Sequence, residues 1–418
     1  MLSIDFLRKN PEKVRKAAVD KNRLVDIDKI LTLDDNRRKY LQTIQKLRAE
    51  RNLLAKQKIT PEIVSRGKNI KEEIKSWETK LTKIEKELNK LLQELPNIPL
   101  DEVPVGKTAA DNKEIKRYGQ IPNFDFHPLS HLQLGKKLDI IDFERGAKVS
   151  GFRGYFLKNE GAILQLGILI YVFQKLVKKG FTPIIPPTIV KEFTLFGSGQ
   201  LPWGKDEVYK LNDTDAYLAG TAEVPVTAYY SQEILTEDSL PQRFIAISPC
   251  YRREAGAYGK DTKGLYRLHE FWKIEQVIIA RNNLDETKKL HNELQLNAEE
   301  ILQDLKLPYR RLLMCTGEMG EPQMLKYDTE VWMPSRGGYG ETMSNSLMGD
   351  FQTRRLNIKY RGKDGQTHFA YSLNNTAIAS PRILIALLEN NQKKDGSISI
   401  PEVLVPHVGF SAIKPKNK

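Results

Sequence analysis

Charged and aromatic side chains alternate along residues 250–276, CYRREAGAYGKDTKGLYRLHEFWKIEQ. After a glycine-rich loop, one face of the alternation carries Arg267, His269, Phe271, Lys273 and Glu275. A solvated sheet face is the usual explanation of such a pattern. A site for an anionic, aromatic ligand is the alternative, because an arginine fork binds phosphate oxygens and a phenyl ring stacks on a base. A carboxylate on the same face accepts hydrogen bonds from an amine or ammonium group.

Two antiparallel strands, over residues 244–254 and 266–280, must position these side chains. On the first strand Arg252 and Glu254 share a face, which can look into the same space as the face described above. The intervening loop contains Gly256, Gly259 and Gly264, together with two lysines, and such a loop can approach a ligand closely. These residues predict a nucleotide and amino-acid site. His269 is assigned a structural role, and Trp272, on the opposite face, is predicted to lie in the core.

The bulk composition is ordinary for a soluble protein, with 40% hydrophobic and 28% charged residues in a chain of 418. The sequence contains no continuous apolar run of membrane-spanning length and no signal-like start, so we expect a cytoplasmic protein. Two cysteines, Cys250 and Cys315, are too few for a zinc framework and are predicted to be unpaired. The net charge of +13 favours a polyanionic partner, although a generally lysine-rich proteome would produce the same value.

A heptad pattern marks the N-terminal third of the chain. Apolar residues recur at spacings of 4 and 3 from Ile63 to Leu95, and the same spacing runs from Tyr40 to Leu54. Between the two seams, Thr60 and Pro61 form a helix start. The pattern predicts an antiparallel helical hairpin over about residues 27–95. Residues 21–95 contain 19 Lys and Arg against 12 Asp and Glu, a net charge of +7, which suits a solvated coiled coil and a nucleic-acid-binding arm equally.

The remainder of the chain mixes helices and strands. Prolines in PNIPLDEVPVGK end the arm, and a short linker is expected to reach about residue 130. We expect helices at 161–181 and 380–392, a strand at 182–190, and a hairpin formed by residues 353–361 and 367–374. Because the strands do not alternate regularly with helices, the predicted class is α+β, with an antiparallel sheet flanked by helices. The predicted domains are residues 1–105 and 106–418.

Residues 251–256 and 263–275 together resemble the second signature motif of class II aminoacyl-tRNA synthetases, specifically that of the seryl-tRNA synthetases of bacterial type. Four further segments resemble motifs of the same family in the same order. They are GFTPIIPPTIV with Pro187 as the first motif, LAGTAEVPVT as the serine-binding loop, ETMSNSLMGDFQTRRLNIKYR, and LNNTAIASPRILIALLENNQ with Arg382 as the third motif. The basic hairpin resembles the arm with which this family grips the long variable arm of its tRNA.

The resemblance implies a role for each matching residue. Arg252 and Arg382 are the catalytic candidates, and Phe271 and Arg382 are expected to cover the two faces of adenine. The implied ATP-binding residues are Arg252, Arg253, Glu254, Arg267, Phe271, Glu341, Thr342, Met343, Ser344 and Arg382. The implied serine-binding residues are Thr221, Ala222, Glu223, Arg252, Glu275, Asn374 and Thr376. Glu341 and Ser344 match the positions that hold Mg²⁺, and no zinc is expected. Taken singly, most of these residues also suit ordinary sheet or core positions.

The implied function is serine–tRNA ligation, in which serine is activated with ATP to seryl-adenylate and then transferred to serine tRNA. The implied partners are serine, serine tRNA and a second copy of the chain, with selenocysteine tRNA as a further candidate. A synthetase-like binding module and an amino-acid:carrier-protein ligase are the alternatives. The sequence departs from the family pattern at Thr376, where many bacterial members have serine, and at Met343 and Leu347. It also lacks the small Gly-x-Gly-like residues that usually precede the third-motif arginine.

Overall fold

The computed structural model describes residues 1–255, 261 and 263–416. Its contacts divide the chain into two compact units, Met1–Ile98 and Pro99–Lys418. Two of the glycines predicted to form the loop beside the site, Gly256 and Gly259, lie outside the described residues, as does Lys260. The fold is the predicted α+β class.

The N-terminal unit consists of four helices: α1 (Ile4–Lys9), α2 (Pro11–Asp20), α3 (Ile27–Leu54) and α4 (Pro61–Gln93). The predicted start of α4 is confirmed, because Thr60 Oγ1 accepts a hydrogen bond from the Ile63 N–H at 3.3 Å and Pro61 is the first helical residue. At about 1.5 Å per residue, α3 and α4 are about 40 and 50 Å long.

The predicted seam between α3 and α4 is confirmed where the helices pair. Ile44 on α3 and Ile70 and Ile74 on α4 are buried, and the ring of Tyr40 lies 5.0 Å from that of Trp77. At the base of the hairpin a separate apolar cluster joins all four helices and contains Leu7, Val14, Ile27, Leu88 and Leu95. Burying these side chains stabilises the unit, because each removes apolar surface from water.

The C-terminal unit has an eight-stranded sheet at its centre. The strands, in chain order, are β1 (Lys113–Tyr118), β2 (Ile141–Asp142), β3 (Phe156–Leu157), β4 (Thr182–Ile184), β5 (Ile189–Lys191), β6 (Tyr209–Lys210), β7 (Ala216–Leu218), β8 (Ile234–Thr236), β9 (Gln242–Tyr251), β10 (Glu270–Ala280), β11 (Tyr309–Leu313), β12 (Leu325–Met333), β13 (Gly338–Gly349), β14 (Lys359–Arg361), β15 (Thr367–Phe369), β16 (Tyr371–Ser380), β17 (Ile398–Ser399) and β18 (Ala412–Ile413). The order across the large sheet is β1-β11-β12-β13-β16-β10-β9-β4. All pairs are antiparallel except β4 with β9, as expected for the predicted antiparallel sheet.

The helices of this unit are α5 (His131–Lys137), α6 (Phe143–Ser150), α7 (Asn159–Lys178), α8 (Glu192–Ser198), α9 (Glu223–Thr227), α10 (Leu284–Asp304), α11 (Phe351–Leu356), α12 (Arg382–Asn390) and α13 (Val405–Val408). Of these, α7, α9, α10, α11 and α12 pack on strands of the large sheet. Helix α7 is the predicted helix at 161–181, and by length and composition alone it is apolar enough to cross a membrane. Its Leu164, Ile168 and Val172 belong to the main core, and it packs on β9 and β16. The apolar composition of α7 therefore has an explanation inside the fold.

Three sequence predictions about this unit were wrong in part. The expected linker before residue 130 contains β1, which pairs with β11 at the edge of the large sheet. The expected strand at 182–190 is two short strands in different sheets, because Pro186 and Pro187 between them cannot donate ladder hydrogen bonds. Residues 353–356 of the predicted first hairpin strand belong to helix α11 instead, and only β14 and β15 make the predicted hairpin.

Candidate active site

A cavity of about 280 Å³ opens on one face of the large sheet. Nearly all the residues selected from the sequence line it: Thr221, Glu223, Arg252, Glu254, Arg267, Phe271, Glu275, Glu341, Thr342, Ser344, Asn374, Thr376 and Arg382. Three selected residues are outside this lining. Met343 is buried in the main core, Ala222 is buried at the start of α9 in a smaller apolar cluster, and the side chain of Arg253 is exposed.

Arg252 and Glu254 follow the end of β9 and Arg267 precedes β10, so the expectation that strands carry these three residues was wrong. The chain leaves regular strand geometry at Glu254, whose φ is +54°. The Arg252 backbone remains tied to the next strand, because its N–H donates to the His269 carbonyl at 2.9 Å. His269 Nδ1 lies 3.0 Å from the Arg252 carbonyl oxygen, which agrees with the structural role predicted for this histidine.

The Arg252 side chain is held in the cavity by two contacts. Its Nε donates to the Gly220 carbonyl at 3.1 Å, and its guanidinium lies 5.3 Å from the centre of the Phe271 ring. Above it, Arg267 forms an ion pair with Glu254 at 2.5 Å. The Phe271 ring and the two arginines therefore make a surface suited to a flat base that carries phosphates.

Arg382, the first residue of α12, forms the opposite wall. Its Nε donates to the Tyr266 carbonyl at 2.9 Å, and its Nη1 reaches the Glu341 carboxylate at 3.1 Å. Loss of hydration around the Glu341 carboxyl would raise its pKa, but the positive charges of Arg382 and Lys326 outweigh that loss. The pKa of Glu341 is therefore lowered. Glu341 is consequently an anion at neutral pH.

A β-bulge places Glu341 and Ser344 on the same side of the sheet. Residues three apart on a regular strand point to opposite faces, but the β12–β13 register shifts at Thr342, which is the extra residue on β13. Asp328 lies across from Ser344 on the neighbouring strand. Burial raises the pKa of Asp328 to about 6, although the positive charge of Lys326, 3.0 Å away, acts in the opposite direction. A carboxylate and a hydroxyl facing a phosphate-sized space are oxygen ligands of the kind that Mg²⁺ prefers.

Lys273 is a residue of the site to which the sequence motifs gave no role. It is buried, forms an ion pair with Glu275, and donates to Thr221 Oγ1 at 2.6 Å. A second register shift, at Ala377 on β16, sets Thr376 opposite Glu275, and the Thr376 hydroxyl donates to that carboxylate at 3.3 Å. The signal was present in the sequence, because Lys273 lies on the same face of β10 as Phe271 and Glu275.

Glu223 closes the far end of the cavity. Its Oε1 accepts hydrogen bonds from Asn374 Nδ2 at 2.9 Å and from Gln352 Nε2 at 2.7 Å. Burial, together with the nearby negative charge of Glu275, raises the pKa of Glu223 to about 7. This end of the cavity therefore offers carboxylates and small polar groups, which suit a small ammonium-bearing ligand with a hydroxyl group.

Trp272 does not lie in the core, contrary to prediction. It is 37% exposed on the opposite face of β10, where it lines an apolar groove with Val149, Phe156 and Leu166. The alternation of residues along β10 identified the face on which Trp272 lies. At this end of the sheet, however, that face is partly exposed to solvent. Both cysteines are free, as predicted, and both are buried.

Two family models match the chain. Residues 1–99 match the seryl-tRNA synthetase N-terminal domain, and residues 207–391 match the tRNA synthetase class II core domain (G, H, P, S and T). The chain is 43% identical to the serine–tRNA ligase of Deinococcus radiodurans, over 98% of each chain. It is 44% identical to that of Treponema denticola, over 99% of this chain and 100% of the relative.

Among solved structures, too, seryl-tRNA synthetases are similar to this chain. The seryl-tRNA synthetase of Pyrococcus horikoshii, crystallised with ATP, superposes with a TM-score of 0.95 at 38% identity and full coverage of both chains. The cytoplasmic serine–tRNA ligase of Naegleria fowleri, in complex with AMP, superposes with a TM-score of 0.89 at 30% identity, over 99% of this chain and 97% of that one. Both are similar to this chain across both units.

Proposed function

The chain belongs to the seryl-tRNA synthetase family, and on that premise we propose that it is an active, ATP-dependent serine–tRNA ligase. One observation carries the proposal: a single cavity joins a base- and phosphate-binding wall, with Arg252, Phe271 and Arg382, to a carboxylate-lined end with Glu223 and Glu275. An enzyme that joins an amino acid to a nucleotide requires both ends in one space.

In the first step, the serine carboxylate attacks the α-phosphorus of ATP and pyrophosphate leaves. Arg252 binds the α-phosphate and the serine carboxylate, because its Nε is hydrogen-bonded to Gly220, next to Thr221 of the serine end, and its guanidinium lies 5.3 Å from the Phe271 ring of the base end. Phe271 and Arg382 hold the adenine ring between them, Glu254 accepts from the adenine amine, and Arg267 binds the outer phosphates. The reaction then depends on positioning and on neutralising the charge that builds on phosphorus, and no covalent enzyme nucleophile is involved.

Serine binds at the carboxylate end. Glu275 accepts from the serine ammonium group, while Thr221 and Glu223 close around it. We assign Asn374 and Thr376, which both line the cavity, to the serine hydroxyl, and the methyl group of Thr376 would narrow this end of the cavity. Lys273 forms an ion pair with Glu275 and a hydrogen bond with Thr221, and it thereby keeps the Glu275 carboxylate oriented.

Mg²⁺ would be held by Glu341 and Ser344 together with the phosphates of ATP. These residues fit the ion, since the bulge at Thr342 brings an anionic carboxylate and a hydroxyl to the same side. When bound, the ion neutralises charge on the phosphate oxygens. Arg382, bonded to Glu341 at 3.1 Å, orients that carboxylate toward the phosphate side of the cavity.

In the second step, the terminal ribose hydroxyl of serine tRNA attacks the carbonyl of the adenylate and AMP leaves. The α3–α4 hairpin grips the long variable arm of the tRNA, as its net charge of +7 over residues 21–95 supports. We place the reaction in the cytoplasm, which suits two free cysteines. We assign tRNA binding to the first predicted domain, residues 1–105, and catalysis to the second, residues 106–418.

A homodimer is the proposed assembly. Helix α7 presents Ile163, Leu166 and Ile170 to solvent on one face, next to the groove lined by Trp272. Pro187, the first-motif proline, is exposed. Exposed apolar side chains grouped in this way are typical of an interface that a second copy covers.

Serine-dependent ATP–pyrophosphate exchange, followed by charging of serine tRNA, tests the proposed function. We expect both activities with serine and neither with alanine or threonine as the added amino acid. Exchange that responds to another amino acid and not to serine would overturn the specificity. Exchange without charging would favour a carrier-protein ligase, and the absence of both would favour a binding module.

A further inference from the structure

A buried hydrogen-bond network lies beside the ATP side of the cavity and includes none of the residues assigned above. Its centre is the Glu389 carboxylate on α12, which is fully buried. Glu389 Oε1 lies 2.7 Å from His131 Nδ1 and accepts from the His131 N–H at 2.8 Å. Ser335 completes the network by donating its N–H to Oε2 and its hydroxyl to Oε1.

The other ring nitrogen of His131 defines its protonation. The Leu265 N–H donates to His131 Nε2 at 3.2 Å, so Nε2 must be the unprotonated acceptor. Nδ1 then carries the hydrogen and donates to Glu389. The ring is therefore neutral, and two hydrogen bonds fix its orientation. Nδ1–H donates to the Glu389 carboxylate, and Nε2 accepts from the Leu265 N–H.

Leu265 stands where the chain returns from the loop to the active site. Gly264 before it has a φ of +85° and packs so closely on the imidazole that an added Cβ would lie 2.3 Å from Nε2. The next residue, Tyr266, accepts a hydrogen bond from Arg382, and its ring lies 4.5 Å from that guanidinium. Arg267 follows and pairs with Glu254.

We propose that His131 is a positioning residue for ATP: its Nε2 fixes the backbone at Leu265, so that Tyr266 and Arg267 enter the cavity in the geometry that the nucleotide requires. His131 does not line the cavity itself. The inference rests on the proposed function only in naming ATP as the ligand. Serine binds at the other end of the cavity, so its binding should be insensitive to this contact.

Two substitutions separate the two bonds of the imidazole. In His131→Asn, the amide can replace Nδ1 and keep the donor to Glu389, but no acceptor reaches Leu265. In His131→Gln, the longer side chain can place an acceptor near the position of Nε2. We expect the Asn variant to bind ATP on the order of tenfold more weakly, because a buried N–H loses its acceptor. The Gln variant should bind ATP as the wild type does, but should unfold at a lower temperature because Glu389 loses a donor.

Equilibrium binding of MgATP, measured by titration calorimetry, gives the readout, together with thermal unfolding of each variant. Ser335→Ala is the matched control, because it removes the hydroxyl donor to Glu389 Oε1 without touching Leu265, and it should lower only the unfolding temperature. The KM for serine in the exchange assay should not change in either His131 variant. If the Asn variant does not fold, Gly264→Ala takes its place, because the added methyl forces the Leu265 N–H away from Nε2.

A normal ATP affinity in His131→Asn, or in its substitute Gly264→Ala, would overturn the proposal. Equal losses of affinity in the Asn and Gln variants would also overturn it, because they would indicate a general effect on stability. The calorimetric measurement does not depend on catalysis. A wild type that binds ATP but shows no serine-dependent exchange would therefore contradict the proposed function alone.

Discussion

At the scale of single residues, three ion pairs between cavity-lining side chains set the electrostatics of the cavity. They are Glu254 with Arg267, Glu275 with Lys273, and Glu341 with Arg382. An unpaired charge in a partly buried site is costly, so these pairs keep the cavity stable before substrates arrive. A pair of substrates that carries both positive and negative charges, such as an amino-acid zwitterion and an anionic nucleotide, can share these ion pairs or take the place of one member. No charged side chain is then left without an opposite charge. The pairing therefore favours such substrates over singly charged ones.

Replacing Arg252 with alanine should abolish adenylate formation while leaving the fold intact. We expect the rate of pyrophosphate exchange to fall by at least about 100-fold, because one preorganised donor to the reacting phosphate is lost. Its neighbour Arg253 is exposed and outside the cavity, so Arg253→Ala is a matched control with an expected effect below about threefold. Near-normal exchange in Arg252→Ala, with unchanged thermal unfolding, would refute the role given to Arg252.

The binding of serine should depend on pH through Glu223. Its pKa is raised to about 7, so the side chain is mostly neutral at pH 6 and anionic at pH 8. An anion attracts the serine ammonium group, so the KM for serine should fall about tenfold from pH 6 to pH 8, with the bend near pH 7. In Glu223→Gln the KM should be higher and nearly independent of pH. A bend that persists in this variant would assign the pH dependence to another group.

The hairpin is the clearest case of an element whose sequence defines its structure. Its heptads bury Ile70 and Ile74 and leave the lysines outside. Crossing pairs such as Arg66 with Glu50, at 2.7 Å, are exposed and add little to the free energy of unfolding. Most of the basic side chains are therefore available to a polyanion.

Reversing three exposed charges on α4 should separate the two half-reactions. In the triple variant Lys68→Glu, Lys71→Glu and Lys75→Glu, we expect the KM for serine tRNA to rise at least about tenfold, because attraction to the phosphates becomes repulsion. Pyrophosphate exchange should not change, since it does not involve tRNA. The neutral triple variant with glutamine should be intermediate and less sensitive to salt than the wild type. Unaltered charging in the glutamate variant would exclude this face of α4 from tRNA binding.

The sheet contributes irregularities that position side chains. Register shifts at Thr342 and Ala377 turn Glu341 toward Ser344 and Glu275 toward Thr376. A bulge costs ladder hydrogen bonds, and bulges recur beside active sites because they redirect side chains. Two such shifts on the face of one cavity agree with that use.

At the scale of the whole molecule, the apolar groove beside α7 should bring two copies together. Leu166→Asp places a charge on a surface that the dimer would bury, so we expect light scattering after gel filtration to change from a dimeric to a monomeric mass. Leu296 on α10 is comparably exposed, 47% against 58%, and lies outside this groove, so Leu296→Asp should remain dimeric. A monomeric wild type, or a dimeric Leu166→Asp variant, would contradict the proposed assembly.

Sequence alone determined what depends on local pattern. The heptads of the arm, the cap at Thr60, the long helix α7 and the antiparallel pairing of β9 with β10 all follow from periodicity and from residue type. The site residues were selectable because their motifs are contiguous in the chain, and the family resemblance assigned them roles. Periodicity also explains the error at Trp272: alternation identifies the face of a strand, but not whether another element covers that face.

Only the tertiary structure decided contacts between residues distant in the chain. The pairing of Lys273 with Thr221, the strand β1 at the sheet edge, and the link from His131 to Leu265 join segments separated by 52 to about 200 residues. The bulge at Thr342 belongs to the same class, because a register shift is defined only against a partner strand. Local propensity fixes the backbone of each element, whereas the free energy that selects a register or a buried pair comes from packing all the elements together.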